Sequence, residues 1–383
     1  MTDQAPGEGL QPQPPAPPEH APRLVYDGAF IGPVLPPGAP AMANAASTPP
    51  VSDAVLALPL GTRQLVGAAL DLLTRQDSGL RGASFYIGFF VLVTVAPLVM
   101  LIGLIATTGA TVFDEQVEQA SSLDSALFLG AFIALGGYFV AGIEARLIAT
   151  AVIGGRAEGR PLRLRESIAL ARRRFWRMVG ASLVVGFTTL AISLAIQLPL
   201  GFALGNVEAI NYGIGLIVGT LVGAPFVYVA PGIVLGEVGT FEAIQRSMRL
   251  ALRRKRLAIV VAMFGILSQF IVLFGVSIGA DVVVRLVDGT GIAESFPPAL
   301  VIPLSAVLVF AFGTLLFLVE SITAAPAVYA FEALTHYTHG LQVGRDRPAN
   351  GTAVWSPWVT PGLAIAAILG VLSVVAAILA LPG

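Results

Sequence analysis

Seven stretches of the chain are apolar over a length that crosses a bilayer, which takes about 20 residues per helix. They cover approximately 84–108, 125–153, 178–204, 211–236, 257–284, 300–334 and 358–381. The expected fold is therefore all-α, a polytopic transmembrane helical bundle of about seven spans. The sixth stretch is too long for one straight crossing, and Pro326 inside it predicts a kink or an end near Ala324-Ala325. Each outward-going span of the first six follows a short amphipathic stretch, at 59–73, 161–177 and 240–256. In the third of these, Phe241, Ile244, Met248, Leu250, Ala251 and Leu252 make an apolar stripe flanked by arginines, the pattern of a helix lying at a lipid surface. The inward-going spans echo one another, Ala224-Pro225-Phe226-Val227-Tyr228 against Ala325-Pro326-Ala327-Val328-Tyr329. The pattern predicts a six-span core of three repeats, each an amphipathic surface helix plus a helical hairpin, with the seventh span appended.

Charge then orients the spans. Asp114, Glu115, Glu118 and Asp124 lie between spans one and two, Glu208 between three and four, and Arg285, Asp288 and Glu294 between five and six. The alternate loops are basic: Arg156 to Arg177 carries eight arginines, Arg246 to Arg256 five arginines and Lys255, and the last loop Arg345 and Arg347. Cation-rich loops stay in the cytoplasm, so the expected topology is N-terminus inside and C-terminus outside. The near absence of lysine points to a bacterial coding sequence, and with it to a bacterial cytoplasmic membrane. With 56% hydrophobic and 12% charged residues and a mean hydropathy of +0.83, the chain has too little charge to cover itself in water. A net charge of −1 gives no field for nucleic acid, and the absence of cysteine excludes disulfides, thiolate metal sites and a thiol nucleophile. Residues 1–55 have neither the basic start nor the apolar run of a cleavable signal. They are proline-rich, as in Pro14-Pro15-Ala16-Pro17-Pro18, and read as a disordered cytoplasmic tail that could offer a docking ligand to a proline-binding protein partner. The expected division is this tail at 1–55, the six-span core at 56–345, and a linker with the appended C-terminal span at 346–383.

Pro231-Gly232-Ile233-Val234-Leu235-Gly236-Glu237, followed by Glu242-Ala243-Ile244-Gln245-Arg246-Ser247-Met248-Arg249-Leu250, a basic cluster and a new span, resembles a bacterial membrane-module family. That family supplies the membrane domain attached to some glycerophosphoryl diester phosphodiesterases and also occurs alone. The resemblance covers roughly residues 59–345. It implies a six-span fold and a membrane location, and it carries no catalytic residues, because the enzymatic domain of the fused members has no counterpart in this sequence.

No catalytic constellation and no cofactor-binding pattern stand out, so neither an enzymatic activity nor a cofactor is expected. Glu332, His336 and His339 share one helical face and form a weak candidate set for a metal ion; polar residues meeting water at a helix end are the plainer reading. Arg172, Arg173, Arg174, Arg253, Arg254 and Lys255 are candidates for anionic lipid head groups, although topology alone also calls for them. Within the spans the ionisable residues are Glu144, Arg146, Asp281 and Glu320. Each is a functional candidate because charge in lipid is costly. Arg146 lies 21 residues beyond Ser125 on span two and Glu320 lies 20 beyond Leu300 on span six, so the two are expected at similar depth and paired. Gly201 and Gly205, and Gly215, Gly219 and Gly223, recur at spacing four, and with the adjacent Gly136 and Gly137 they predict close helix packing. These features favour a non-catalytic membrane module that organises lipid or partner proteins. The alternatives are a transporter or channel for a small or amphipathic solute, and a lipid-acting membrane enzyme. A cavity lined by Glu320, Tyr228 and Tyr329 would favour the transporter, and a tight bundle the module.

Overall fold

The structure, a computed structural model, describes residues 78–108, 117–204, 208–290, 298–335, 340–341 and 358–379, with a few positions between 64 and 74. Among the described residues nine α-helices follow one another: α1 Ser78–Thr108, α2 Val117–Ala157, α3 Leu164–Leu204, α4 Glu208–Gly223, α5 Val229–Val234, α6 Thr240–Arg253, α7 Lys255–Thr290, α8 Pro298–Thr335 and α9 Pro361–Leu379. A 3-10 turn, Ala224–Phe226, joins α4 to α5, and the described residues contain no strand. Among the described residues five helical stretches are long and apolar enough to cross a bilayer: Gly79–Pro97, Phe132–Ala157, Leu164–Leu200, Gly213–Val234 and Ala306–Thr335. Large apolar side chains cover their outer faces, as at Phe187, Leu190 and Leu198 on α3. The protein is thus an all-helical membrane protein, because only lipid leaves such a surface without penalty.

Helices α2, α3, α4, α7 and α8 each pack against the next, and α8 closes the ring onto α2. Helix α1 lies against α8 and α2 outside the ring, and α9 packs on α2 and α1. The last helix is therefore part of the packed core, where the sequence suggested an appendage. Its hold is tight: a Cβ on Gly370 would lie 2.6 Å from the Thr94 carbonyl oxygen of α1, and one on Gly137 of α2 would run into the Thr94 methyl. Helices α1 and α8 meet as closely, since a Cβ on Gly313 would stand 2.8 Å from the Gly88 Cα. Glycine at such crossings lets backbones approach within side-chain radius.

Two expectations need correction. The stretch 161–177 is not a separate surface helix. No glycine or proline interrupts residues 164–179, so α3 runs unbroken from Leu164 to Leu204, and Ile168, Leu170, Ala171 and Phe175 in its first turns are buried. The third stretch does form its own helix, α6, which ends where Arg254 leaves helical geometry at φ −128°, ψ 57°. Nothing in the residue types there accounts for that break. The second correction concerns Pro326, which does not end the helix: α8 continues through it to Thr335. At the echoing Pro225 the helix does break, and the difference lies in what receives the freed backbone groups. Ser247 of α6 donates its hydroxyl to the Pro225 carbonyl at 2.7 Å and accepts the Tyr228 N–H at 3.1 Å. A helix in an apolar setting opens only where such a partner stands. The proline-rich tail at 1–55 and the histidines His336 and His339 lie outside the described residues, as does the side chain of Asp281.

Candidate functional site

Between the helices of the ring lies a cavity of about 1050 Å³, open on part of its boundary. Its walls come from α2, α3, α7 and α8, and its floor from the α4–α5 break, with Phe226, Val227 and Pro231. Most of the lining is apolar, including Phe132, Leu135 and Phe139 of α2 and Phe312, Leu315 and Leu316 of α8. Gly142 and Gly186 also face it, and a Cβ on either would meet nothing within 4 Å.

Arg146 and Glu320 are the charged residues in this lining. They form a bidentate ion pair: Arg146 Nε donates to Glu320 Oε2 at 2.8 Å and Nη2 to Oε1 at 3.1 Å. The contact expected from their matched depth is thus present, and it ties α2 to α8. Bidentate geometry holds a guanidinium in one orientation. The two partners are unequally covered, with the Arg146 side chain 42% exposed and that of Glu320 8%. The exposed part of Arg146 faces the cavity, since the residue lines it. One helical turn on, Thr150 donates to the Arg146 carbonyl at 2.7 Å, and Thr323 donates to the Glu320 carbonyl at 3.0 Å. Tyr228 and Tyr329 do not line the cavity.

Glu144 stands apart from this pair although it is two residues away. It is fully buried, and neither carboxylate oxygen takes a hydrogen bond of normal geometry among the described residues. The group lies against the first turn of α9, where a Cβ on Gly362 would come 2.5 Å from Glu144 Oε2. That turn is capped by Thr360, whose Oγ1 accepts the Leu363 N–H at 3.1 Å, with Pro361 in the first helical position. A carboxylate at a helix N-terminus meets the positive end of the dipole. Tyr86 of α1 closes the junction by donating to the Trp358 carbonyl at 3.0 Å. Glu144 thus docks the last helix rather than serving the cavity.

The cation clusters divide. Arg174 is buried and paired with Glu237, so it is not a head-group contact. Glu237 adopts φ 59°, unusual for a residue other than glycine. The Arg174 pair and the Arg177 guanidinium, which donates to the Glu237 carbonyl at 3.1 Å, hold that turn against α3. Arg172 and Arg173 are half-buried, whereas Arg253 and Lys255 are exposed and Arg254 is half-exposed. Glu332 lies against Gly154 of α2, with its Oε1 buried. Among the described residues no group of three potential ligands is placed to hold a metal ion. The sequence reasoning missed Ser247 as the residue that holds the break and Glu237 as a partner of Arg174; the pairing of proline with a serine 22 residues on leaves no periodic trace. No protein-family model matches the chain, and neither a curated protein nor a solved structure was found to match it.

Proposed function

We propose that this protein binds an amphipathic solute inside the bilayer and works as its carrier. The observation that carries the reading is the cavity itself. It is a large, mostly apolar space in the middle of a ring of membrane helices, with one oriented ion pair in its wall. Ligand sites in proteins have this composition, apolar lining with a few placed polar groups. The broken element beneath it supports the same reading, because interrupted helices border solute sites in carriers. In this reading seven helices cross the bacterial cytoplasmic membrane, α7 and α9 included, with the basic loops inside. The exposed Arg253 at the end of α6 and Lys255 at the start of α7 favour a second role, contact with anionic lipid at the cytoplasmic surface. Helix α6 suits that surface: it packs Ala243, Ser247 and Leu250 on the protein and leaves Phe241 and Leu252 outward. A module that gathers lipid, as the resemblance to phosphodiesterase-linked membrane domains implies, would use the same helix.

The test fills the cavity. Gly142→Phe together with Gly186→Phe projects two rings into space that is open at both positions. The protein purified from membranes in mild detergent should carry at least one bound amphiphile, seen by native mass spectrometry, and the double variant should lose it. Equal retention by both would overturn the reading.

A further inference from the structure

We infer that the solute is an anionic amphiphile, its carboxylate or phosphate head held by the free edge of Arg146 and its chain laid along the apolar wall of α2 and α8. This rests on the cavity being the solute site. A guanidinium carries five N–H groups and no acceptor. Glu320 engages the Nε–H and one of the Nη2–H groups, and Nη1 meets no partner among the described residues. The carboxylate is the covered member of the pair and the guanidinium the open one, 8% against 42% exposed. A solute entering the cavity therefore meets hydrogen-bond donors with the carboxylate behind them. An ammonium head would face donors only, while an anionic head completes the guanidinium with charge-assisted bonds.

The distribution of polarity along the cavity sets the direction of the chain. Arg146, Glu320, Thr150 and Thr323 lie within about one turn of each other, and on the α2 wall from Ile143 back to Phe132 Tyr138 alone carries a polar side-chain atom, while Ser182, Thr189 and Gln269 stand on the facing α3 and α7 walls. At a rise of about 1.5 Å per residue, the stretch from Arg146 to Phe132 measures about 21 Å, most of the thickness of a bilayer hydrocarbon core. That length takes an extended acyl chain. Glu320 has a positioning role, fixing the guanidinium plane so that its unused edge turns inward. Arginine suits this task better than lysine, because the N–H groups left on a paired ammonium are not held in a fixed planar edge.

The experiment measures displacement of a fluorescent fatty acid from the full-length protein in detergent by four competitors of equal chain length: palmitate, hexadecyl phosphate, hexadecanol and hexadecylamine. At least one of the two anions should compete about tenfold better than the alcohol, a difference of ~1.4 kcal/mol, and the amine no better than the alcohol. Whichever anion wins assigns the head as carboxylate or phosphate. In Arg146→Leu/Glu320→Leu the preference should vanish while the alcohol still competes. Arg146→Lys, which keeps the ion pair, should lose most of the preference and guards against misfolding of the uncharged variant. Equal competition by alcohol or amine in the natural protein, or a preference that survives in both variants, overturns the head-group assignment and leaves the cavity reading standing. Probe binding that survives Gly142→Phe/Gly186→Phe defeats both.

Discussion

Breaking the Arg146–Glu320 pair from its two sides should give unequal costs. Arg146→Ala leaves the carboxylate 8% exposed, with both oxygens stripped of their donors. Removing one partner of a buried pair costs about 3–5 kcal/mol. Glu320→Ala leaves a guanidinium that already faces the cavity with 42% of its side chain, where water or a solute can solvate it. Its loss should be nearer the cost of one missing charged hydrogen bond, about 1.5–3 kcal/mol. The double variant removes both charges and should be more stable than Arg146→Ala by ~1–2 kcal/mol, which together with the cost of Glu320→Ala makes the coupling in the cycle about 2.5–5 kcal/mol. Denaturant unfolding of the four proteins in one detergent, followed by helix content, gives the cycle directly. A coupling below about 0.5 kcal/mol, or Glu320→Ala worse than Arg146→Ala, would refute the account of which partner is enclosed.

Ser247→Ala should strand the Tyr228 N–H and the Pro225 carbonyl in the cavity floor, costing about 1–3 kcal/mol and speeding amide exchange across residues 225–234 relative to the rest of the chain. Uniform exchange in the variant would show that the break does not depend on Ser247. The chain lacks cysteine, so single cysteines report topology cleanly. Glu118→Cys and Thr290→Cys should react with an impermeant maleimide in intact cells, Arg160→Cys and Arg249→Cys only after permeabilisation, and reaction of Arg249→Cys in intact cells would reverse the proposed orientation.

The helices were legible because lipid imposes length and apolarity on any spanning segment, and no packing detail can override that. What failed was punctuation. Residues 161–177 and 240–256 look alike as amphipathic stretches, but α3 runs straight on from the first and α6 stops after the second. The distinction depends on what each packs against, as with Phe175 buried beside Gly362 of the distant α9. The two Ala-Pro motifs failed the same way, since proline removes one donor at both sites and only Pro225 has a Ser247. Glycine spacing was a weaker guide still. Gly137 makes a close crossing, but Gly223 of the spacing-four series meets nothing, while Gly88, Gly313 and Gly370 lie outside that series and are crowded.

The ion pair could be read from sequence because a lone charge in an apolar run demands a partner, and helical rise alone put Arg146 and Glu320 at one depth. Glu144 shows the limit of that argument. It demands a partner as strongly, and what it meets is a helix N-terminus more than 200 residues away in the chain, which depth arithmetic between spans does not consider. The cavity leaves even less trace. A void is made by helices that stand apart, and the residues lining it are the same leucines, valines and phenylalanines that would fill a core. Gly142, Gly186 and Gly223 mark it, and a glycine that admits a ligand cannot be told by type or spacing from one that admits a neighbouring helix. Gly142 and Gly137 lie on the same helix five residues apart; one opens onto the cavity and the other is pressed against Thr94, because a helix in a ring has an inner face and an outer one.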